Sequence, residues 1–554
     1  MLANPASAPM AQEQVATPPS RRALWPLLGL VLLTAIVAGP SFGPWCNFTP
    51  DSFQYLGAAR AMVEGGDLSS RVLQAPPGFP ALIAPLLLLG DLPLLAIRTL
   101  LVGCWALVGA LTYLLHRRDL GAPAAWMTEL LVAASPVFLH LTTTVLSEPA
   151  FIVLALGALL VASSWNRSPA PRWSQVVGGA LLAGAAIMVR AAGLVLVPVM
   201  AIALLRQRGR STARRIGAAA VFGALAILPS VAWQAREGAN DEHPGYLHTW
   251  THARGGEHTD ATGLALQVER LVKYGPAHLH AVKQLLLPEE LFWRAYQAPF
   301  DLPTTWLIGG GIALIALVRL VKYGGPMDAY VLGLMLVVSL WPWDEGVRFA
   351  APVLPIVAAY PLWLGRAIWR HRAAGRGLRF GPAAALLVLL AAELGGLGVA
   401  QARMPAQRRK AEQRLAAMRE LADWHAANTA PGAKWLGVTP NGDTSKVLLV
   451  GAAYLARRPV ETIDVNPGET MRPAPGTASC ILVHKNLTDS AVAAEGFAAA
   501  GEVGDFVVWR QAARQPEGEL GTTAQPVVRS WEEEPGPGSD PAAGAGNVSD
   551  GTPR

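Results

Sequence analysis

Long apolar runs are the feature that most constrains this chain. They lie at about 23–42, 92–115, 122–139, 149–165, 174–189, 191–206, 215–232, 304–321, 327–341, 349–365 and 381–400. A spanning helix needs roughly 20 apolar residues, and several of these runs fall short of that, so their edges are approximate. Only 15% of the 554 residues are charged, against roughly 25% in soluble domains. The pattern predicts a mainly α, polytopic transmembrane protein of about eleven spans. It argues against a soluble multidomain enzyme, a disordered protein and a nucleic-acid binder. The shorter run 81–90, between Pro80 and Pro93, reads as an interfacial or re-entrant segment.

Basic residues orient these spans. The pairs Arg21/Arg22, Arg117/Arg118, Arg167/Arg172 and Arg319/Lys322 fall on one side in the predicted topology. So do the cluster Arg206, Arg208, Arg210, Arg214, Arg215 and the cluster Arg366, Arg370, Arg372, Arg376, Arg379. Cytoplasmic loops are rich in Lys and Arg, so the N-terminus is expected in the cytoplasm of a plasma (inner) membrane. Loops 43–80 and 233–303, the turns 140–148 and 342–348, Arg190 and everything after 400 are expected outside. The net charge of +6 is therefore read as topology rather than as a sign of an acidic partner.

Four regions follow. Residues 1–20 read as a disordered cytoplasmic N-terminus and 21–402 as the membrane domain. Residues 403–514 read as a small external α/β domain, and 515–554 as a disordered Gly/Pro/Glu/Ser-rich tail. Residues 404–428 form an amphipathic helix leaving the membrane. Strands are expected at 434–439, 460–464, 480–484 and 506–510, with helices at 445–457 and 490–500.

Charges near a bilayer are costly and are functional candidates by default. Loop 43–80 carries Asp51, Tyr55 and Ala58 on one helical face, followed by Arg60, Glu64 and Arg71 and then by Pro76-Pro77-Gly78-Phe79-Pro80. The turn after the third span reads Leu146-Ser147-Glu148-Pro149, and Arg190-Ala191-Ala192-Gly193 follows the fifth. Trp341-Pro342-Trp343-Asp344-Glu345-Gly346 and Arg348-Phe349-Ala350-Ala351-Pro352 lie between the ninth and tenth. Taken singly, Asp51 and Glu148 are also what a helix N-terminus favours, an acid against the dipole. Together, two acids and two or more arginines meet one water–lipid boundary. A transferase with a lipid-phosphate sugar donor needs this set. The acid takes a proton from an acceptor hydroxyl, and the arginines hold the departing phosphate.

These motifs, in this order, resemble the GT-C membrane glycosyltransferases. They are most similar to the bacterial group of rhizobial lipopolysaccharide core transferases, protein O-mannosyltransferases and the lipid A aminoarabinose transferase. The resemblance covers roughly residues 24–400. It implies a GT-C transmembrane core with a smaller external domain, inverting transfer and a polyprenyl-phosphate monosaccharide donor. Asp51 takes the place of the family's catalytic base. Glu148 takes that of its second acid, which orients the acceptor or assists a divalent cation; no other cofactor is implied. Arg348 takes that of a basic residue suited to donor phosphate. Ala75 departs from the aminoarabinose pattern, where a lysine precedes the Pro-Pro pair; Arg71 or Arg190 would have to substitute. The expected partners are a polyprenyl-phosphate sugar, a glycan, lipid or protein acceptor, and the bilayer, with no nucleic acid.

Other signals carry less. The Trp341–Gly346 motif is similar to the Trp-Trp-Asp motif of oligosaccharyltransferases but lies between spans, where its tryptophans suit an interfacial role. Asp344 and Glu345 are kept, with Tyr55, as acceptor-side or structural neighbours. His248 and His252 have chelate spacing only if helical, and Gly255 and Gly256 argue for a loop. The sequons at Asn47, Asn486 and Asn547 are short patterns. Cys46 and Cys480 both fall on the outer side, with nothing to bring them together. A flippase or transporter of lipid-linked sugars would place charge at mid-bilayer rather than at one rim, and a scaffold displaying residues 401–514 would not need Asp51 or Glu148.

Overall fold

The structure is a computed structural model. It describes Gly29, His252 and residues 34–66, 76–165, 171–207, 211–237, 261–288, 302–341, 346–370, 376–429, 435–440, 445–457, 460–465, 480–484, 497–503 and 506–511. Two compact units divide between Glu412 and Gln413.

In the first unit, α1 (Pro50–Glu64) is followed by α2 (Gly78–Ile83), which continues as a 3-10 segment to Leu89. Then come α3 (Leu94–Leu120), α4 (Ala122–Ala133), α5 (Pro136–Thr143), α6 (Glu148–Trp165), α7 (Trp173–Val189), α8 (Leu196–Leu205) and α9 (Thr212–Glu237). Helix α10 (Gly263–Leu286) precedes a π-turn at Thr305–Gly310 that leads into α11 (Gly311–Tyr323). Beyond it lie α12 (Pro326–Ser339), α13 (Val347–Ala350), α14 (Leu354–Val357), α15 (Tyr360–Arg370) and α16 (Arg376–Asn428).

Six of these stretches are long and apolar enough to span a bilayer, seven if the pair α4 and α5, bent by 51°, is one span. The runs 174–189, 191–206 and 327–341 correspond to shorter apolar helices, and half of the run 23–42 lies outside the described residues. The count of about eleven includes those four. Helix α16 runs without interruption through both the expected span 381–400 and the expected amphipathic helix 404–428.

Small residues let the helices approach closely, the usual packing device where lipid is the solvent. Gly121, at φ 87°, reverses the chain between α3 and α4. The two then pack antiparallel, with Tyr113 against Ala125 and Gly109 against the Glu129 carboxylate. A Cβ on Gly179 would stand 2.9 Å from the Trp165 ring. Arg319 Nε donates to Asp328 Oδ1 at 2.8 Å and its guanidinium lies over the Tyr360 and Trp363 rings. The sequence counted Arg319 only as a topology anchor. Here it also ties α11 to α12 and α15.

The second unit contains a five-stranded sheet in the order β2-β1-β3-β5-β4. Its strands are β1 (Trp435–Pro440), β2 (Val460–Val465), β3 (Cys480–His484), β4 (Phe497–Val503) and β5 (Phe506–Gln511), with α17 (Ser445–Ala456) crossing between β1 and β2. Strand β1 pairs in parallel with β2 and β3, while β5 pairs antiparallel with β3 and β4. Leu421, Ala422, Trp435, Leu449, Ala452, Leu482 and Phe506 form its core. The helix expected at 490–500 is corrected at its end, because residues 497–500 belong to β4. Alanine-rich sequence favours helix, but the ladder to β5 overrides it here.

Candidate active site

Two chain segments deliver the acids together. Asn47 and Thr144 form an isolated parallel bridge. In it the Asn47 amide donates to Thr143 O at 2.7 Å and the Val145 amide to Asn47 O at 3.3 Å. Each segment then turns into a helix. Thr49 caps α1, its hydroxyl accepting from the Ser52 amide at 3.3 Å, while Ser52 Oγ accepts from the Thr49 amide at 2.9 Å. Pro50 stands at the first helical position, where its missing N–H costs nothing, and Asp51 falls in the first turn. On the other segment Glu148 opens α6. Ser52 Oγ also donates to Val145 O at 2.9 Å, locking the two helix starts side by side.

Arginines from two further segments close the cluster. Arg348, in α13, donates through Nη2 to Asp51 Oδ2 at 2.8 Å and through Nε to Glu148 Oε1. Arg190 sits in extended backbone just past α7, and its Nη1 lies 2.6 Å from the same Glu148 oxygen. That nitrogen is also 3.4 Å from Ser147 Oγ, which in turn lies 3.2 Å from the Tyr55 hydroxyl. The guanidinium of Arg190 stands 5.1 Å over the Phe349 ring. Gly78 presses on the end of α7; a Cβ there would come within 2.5 Å of Met188 O. The Pro-Pro loop is thereby seated against the backbone that carries Arg190.

The two acids have different surroundings. The Glu148 side chain is 0% exposed and held by both arginines, whereas Asp51 is 37% exposed. Of the two acids only Asp51 is open to solvent, while Glu148 Oε1 meets both guanidinium groups. Burial, with the Asp51 charge adding to it, pushes the Tyr55 hydroxyl well above its ordinary value, so it keeps its proton and serves as a neutral hydrogen-bonding group.

The structure thus brings together Asp51, Glu148, Arg190, Arg348 and Tyr55. Arg71, Asp344 and Glu345 lie outside the described residues, as does His248. Ser147 also links Tyr55 to Arg190, a contact that nothing in the Ser-Glu-Pro motif signals. Among the described residues no group of three or more His, Cys, Asp or Glu side chains is arranged to hold a metal ion. A divalent cation fits the described cluster poorly, since Arg348 already stands between the two carboxylates and would repel it.

Residues 74–233 match the family described as dolichyl-phosphate-mannose-protein mannosyltransferase. No curated protein matches the sequence. Among solved structures, ArnT from Cupriavidus metallidurans in the apo state is similar with a TM-score of 0.54 at 13% identity, over 89% of this chain and 98% of that one. The same protein bound to undecaprenyl phosphate gives 0.51 at 14% identity, over 88% and 98%. The Archaeoglobus fulgidus oligosaccharyltransferase in complex with Zn and sulfate gives 0.49 at 13% identity, over 83% and 68%. This chain therefore has the GT-C fold, and the family it matches and the structures it resembles belong to the GT-C glycosyltransferase superfamily.

Proposed function

We propose that this protein is an inverting membrane glycosyltransferase. It moves a monosaccharide from a polyprenyl-phosphate donor to a glycan, lipid or protein acceptor at the outer face of the plasma membrane. One observation carries the reading: Asp51, Glu148, Arg190 and Arg348 converge from four segments, and of the two acids only Asp51 is open to a substrate. The binding of undecaprenyl phosphate by ArnT, a protein of the same fold, supports a lipid-phosphate donor.

In this mechanism Asp51 takes the proton of an acceptor hydroxyl as its oxygen attacks the anomeric carbon. The bond from that carbon to the phosphate oxygen breaks, and the lipid phosphate leaves with the electron pair and one more negative charge. Arg348 and Arg190 meet that charge. A guanidinium has five donors in a planar fork and can bridge more than one anion. Glu148 keeps both aligned before the charge develops, so little reorganisation is needed during the reaction. A single displacement inverts the configuration at the anomeric carbon.

The test compares the masses of cell-envelope glycans from cells with the intact protein, without it, and with Asp51→Asn. Loss of one sugar unit is expected in both altered strains. A product unchanged when the whole protein is absent would overturn the reading.

A further inference from the structure

Arg98, on α3, is fully buried at 0% exposure and takes no direct part in the chemistry above. It forms no ion pair with a carboxylate among the described residues. Its Nη2 donates to Ser41 O at 2.9 Å, with Ser41 Oγ at 3.5 Å, and its Nη1 donates to Thr142 O. Its guanidinium lies 5.2 Å from the centre of the Trp45 ring. A buried cation without a carboxylate is expensive, and here all of that cost goes into tying two backbone segments together.

Those are the segments that carry the acids. Ser41 and Trp45 lead into Asn47, and Thr142 leads into Thr144, the two halves of the parallel bridge. In a parallel bridge both chains run the same way, so equal steps beyond it stay level. Asp51 follows Asn47 by the same number of residues as Glu148 follows Thr144. The bridge register thus decides which atoms Arg348 can span at once. We infer that Arg98 is a positioning residue for transfer: it clamps the Asn47–Thr144 bridge and thereby sets Asp51 against Arg348. The inference rests on the reading of Asp51 as the base.

The experiment uses the full chain with Arg98→Met or Arg98→Lys, in membranes whose own lipid-linked donors and envelope acceptors are the substrates. Binding of undecaprenyl phosphate is measured separately as a probe of the arginine site. The maximal transfer rate is expected to fall about 10- to 100-fold, the usual consequence of a misplacement near 1 Å. Undecaprenyl phosphate affinity should stay within about twofold, because Arg190 and Arg348 keep Glu148. Arg98→Lys keeps the charge but not the fork and should recover part of the rate. If Arg98→Met does not fold, Arg98→Lys is read by itself for a rate loss at unchanged undecaprenyl phosphate affinity. A folded variant with an unchanged rate overturns the inference, as does a loss that appears only in undecaprenyl phosphate affinity. Asp51→Asn is run alongside. If it stays active, the underlying functional reading fails instead.

Discussion

Asp51 and Glu148 are both acids in the first turn of a helix, yet they have opposite surroundings, one half-exposed and one buried. Asp51→Asn should lower the transfer rate by about 10²- to 10⁴-fold, the usual contribution of a general base, with the thermal unfolding midpoint in detergent unchanged. Glu148→Ala should behave differently. It removes the buried carboxylate that Arg190 and Arg348 share, and breaking a buried ion pair by removing one partner costs about 3–5 kcal/mol. A clear drop in the unfolding midpoint is expected together with the loss of activity. If Glu148→Ala kept full stability and lost only rate, Glu148 would be a chemical participant instead of a clamp. Cys46 offers a second check on packing. It is a free thiol, and burial pushes it up to about 12 even though Arg98 pulls the other way. Iodoacetamide at pH 8 should leave it unlabelled in the folded protein and label it once the chain is denatured; rapid labelling of the native protein would contradict the buried setting.

At the scale of elements, the site depends on helix ends and on the short pieces between them. The sequence marked several ends correctly. Asp51 and Glu148, acids suited to a helix N-terminus, mark the starts of α1 and α6, and the Arg190-Ala191-Ala192-Gly193 stretch interrupts the apolar run after α7. It did not show that the segments before α1 and α6 bridge each other, because a two-residue bridge has no periodicity to read. Nor did it show why Gly78 follows the Pro-Pro pair. Gly78→Ala forces a methyl group onto the Met188 carbonyl, and overpacking of this kind costs about 1–3 kcal/mol. The loop should shift from the end of α7 and disturb Arg190. Both a lower unfolding midpoint and weaker undecaprenyl phosphate binding are expected; normal binding would mean that the loop does not support Arg190. The expected helix at 490–500 shows the opposite limit. Alanine content is a weak local preference, and an available strand edge can outweigh it.

For the whole molecule, orientation is the property to test. The arginine pattern puts the Asp51 rim and residues after 400 outside and the N-terminus in the cytoplasm. Reporter fusions at the N-terminus and at the C-terminus should therefore respond on opposite sides of the membrane, and equal responses would overturn the odd span count. The rim location also matters for function, since a lipid phosphate lies at the boundary rather than at mid-bilayer.

The amino-acid sequence by itself determined that this is a multi-pass membrane protein, and it singled out the charged residues that are not topology anchors. Both are sums of local transfer costs, so they can be read residue by residue. Only the tertiary structure decided that Arg348 bridges Asp51 and Glu148, which lie 297 and 200 residues away along the chain. It also decided which acid is exposed and that Arg98 clamps the segments carrying them. Those outcomes depend on how separate helices pack. Packing brings distant residues together at fixed distances, and no local pattern in the chain encodes those distances.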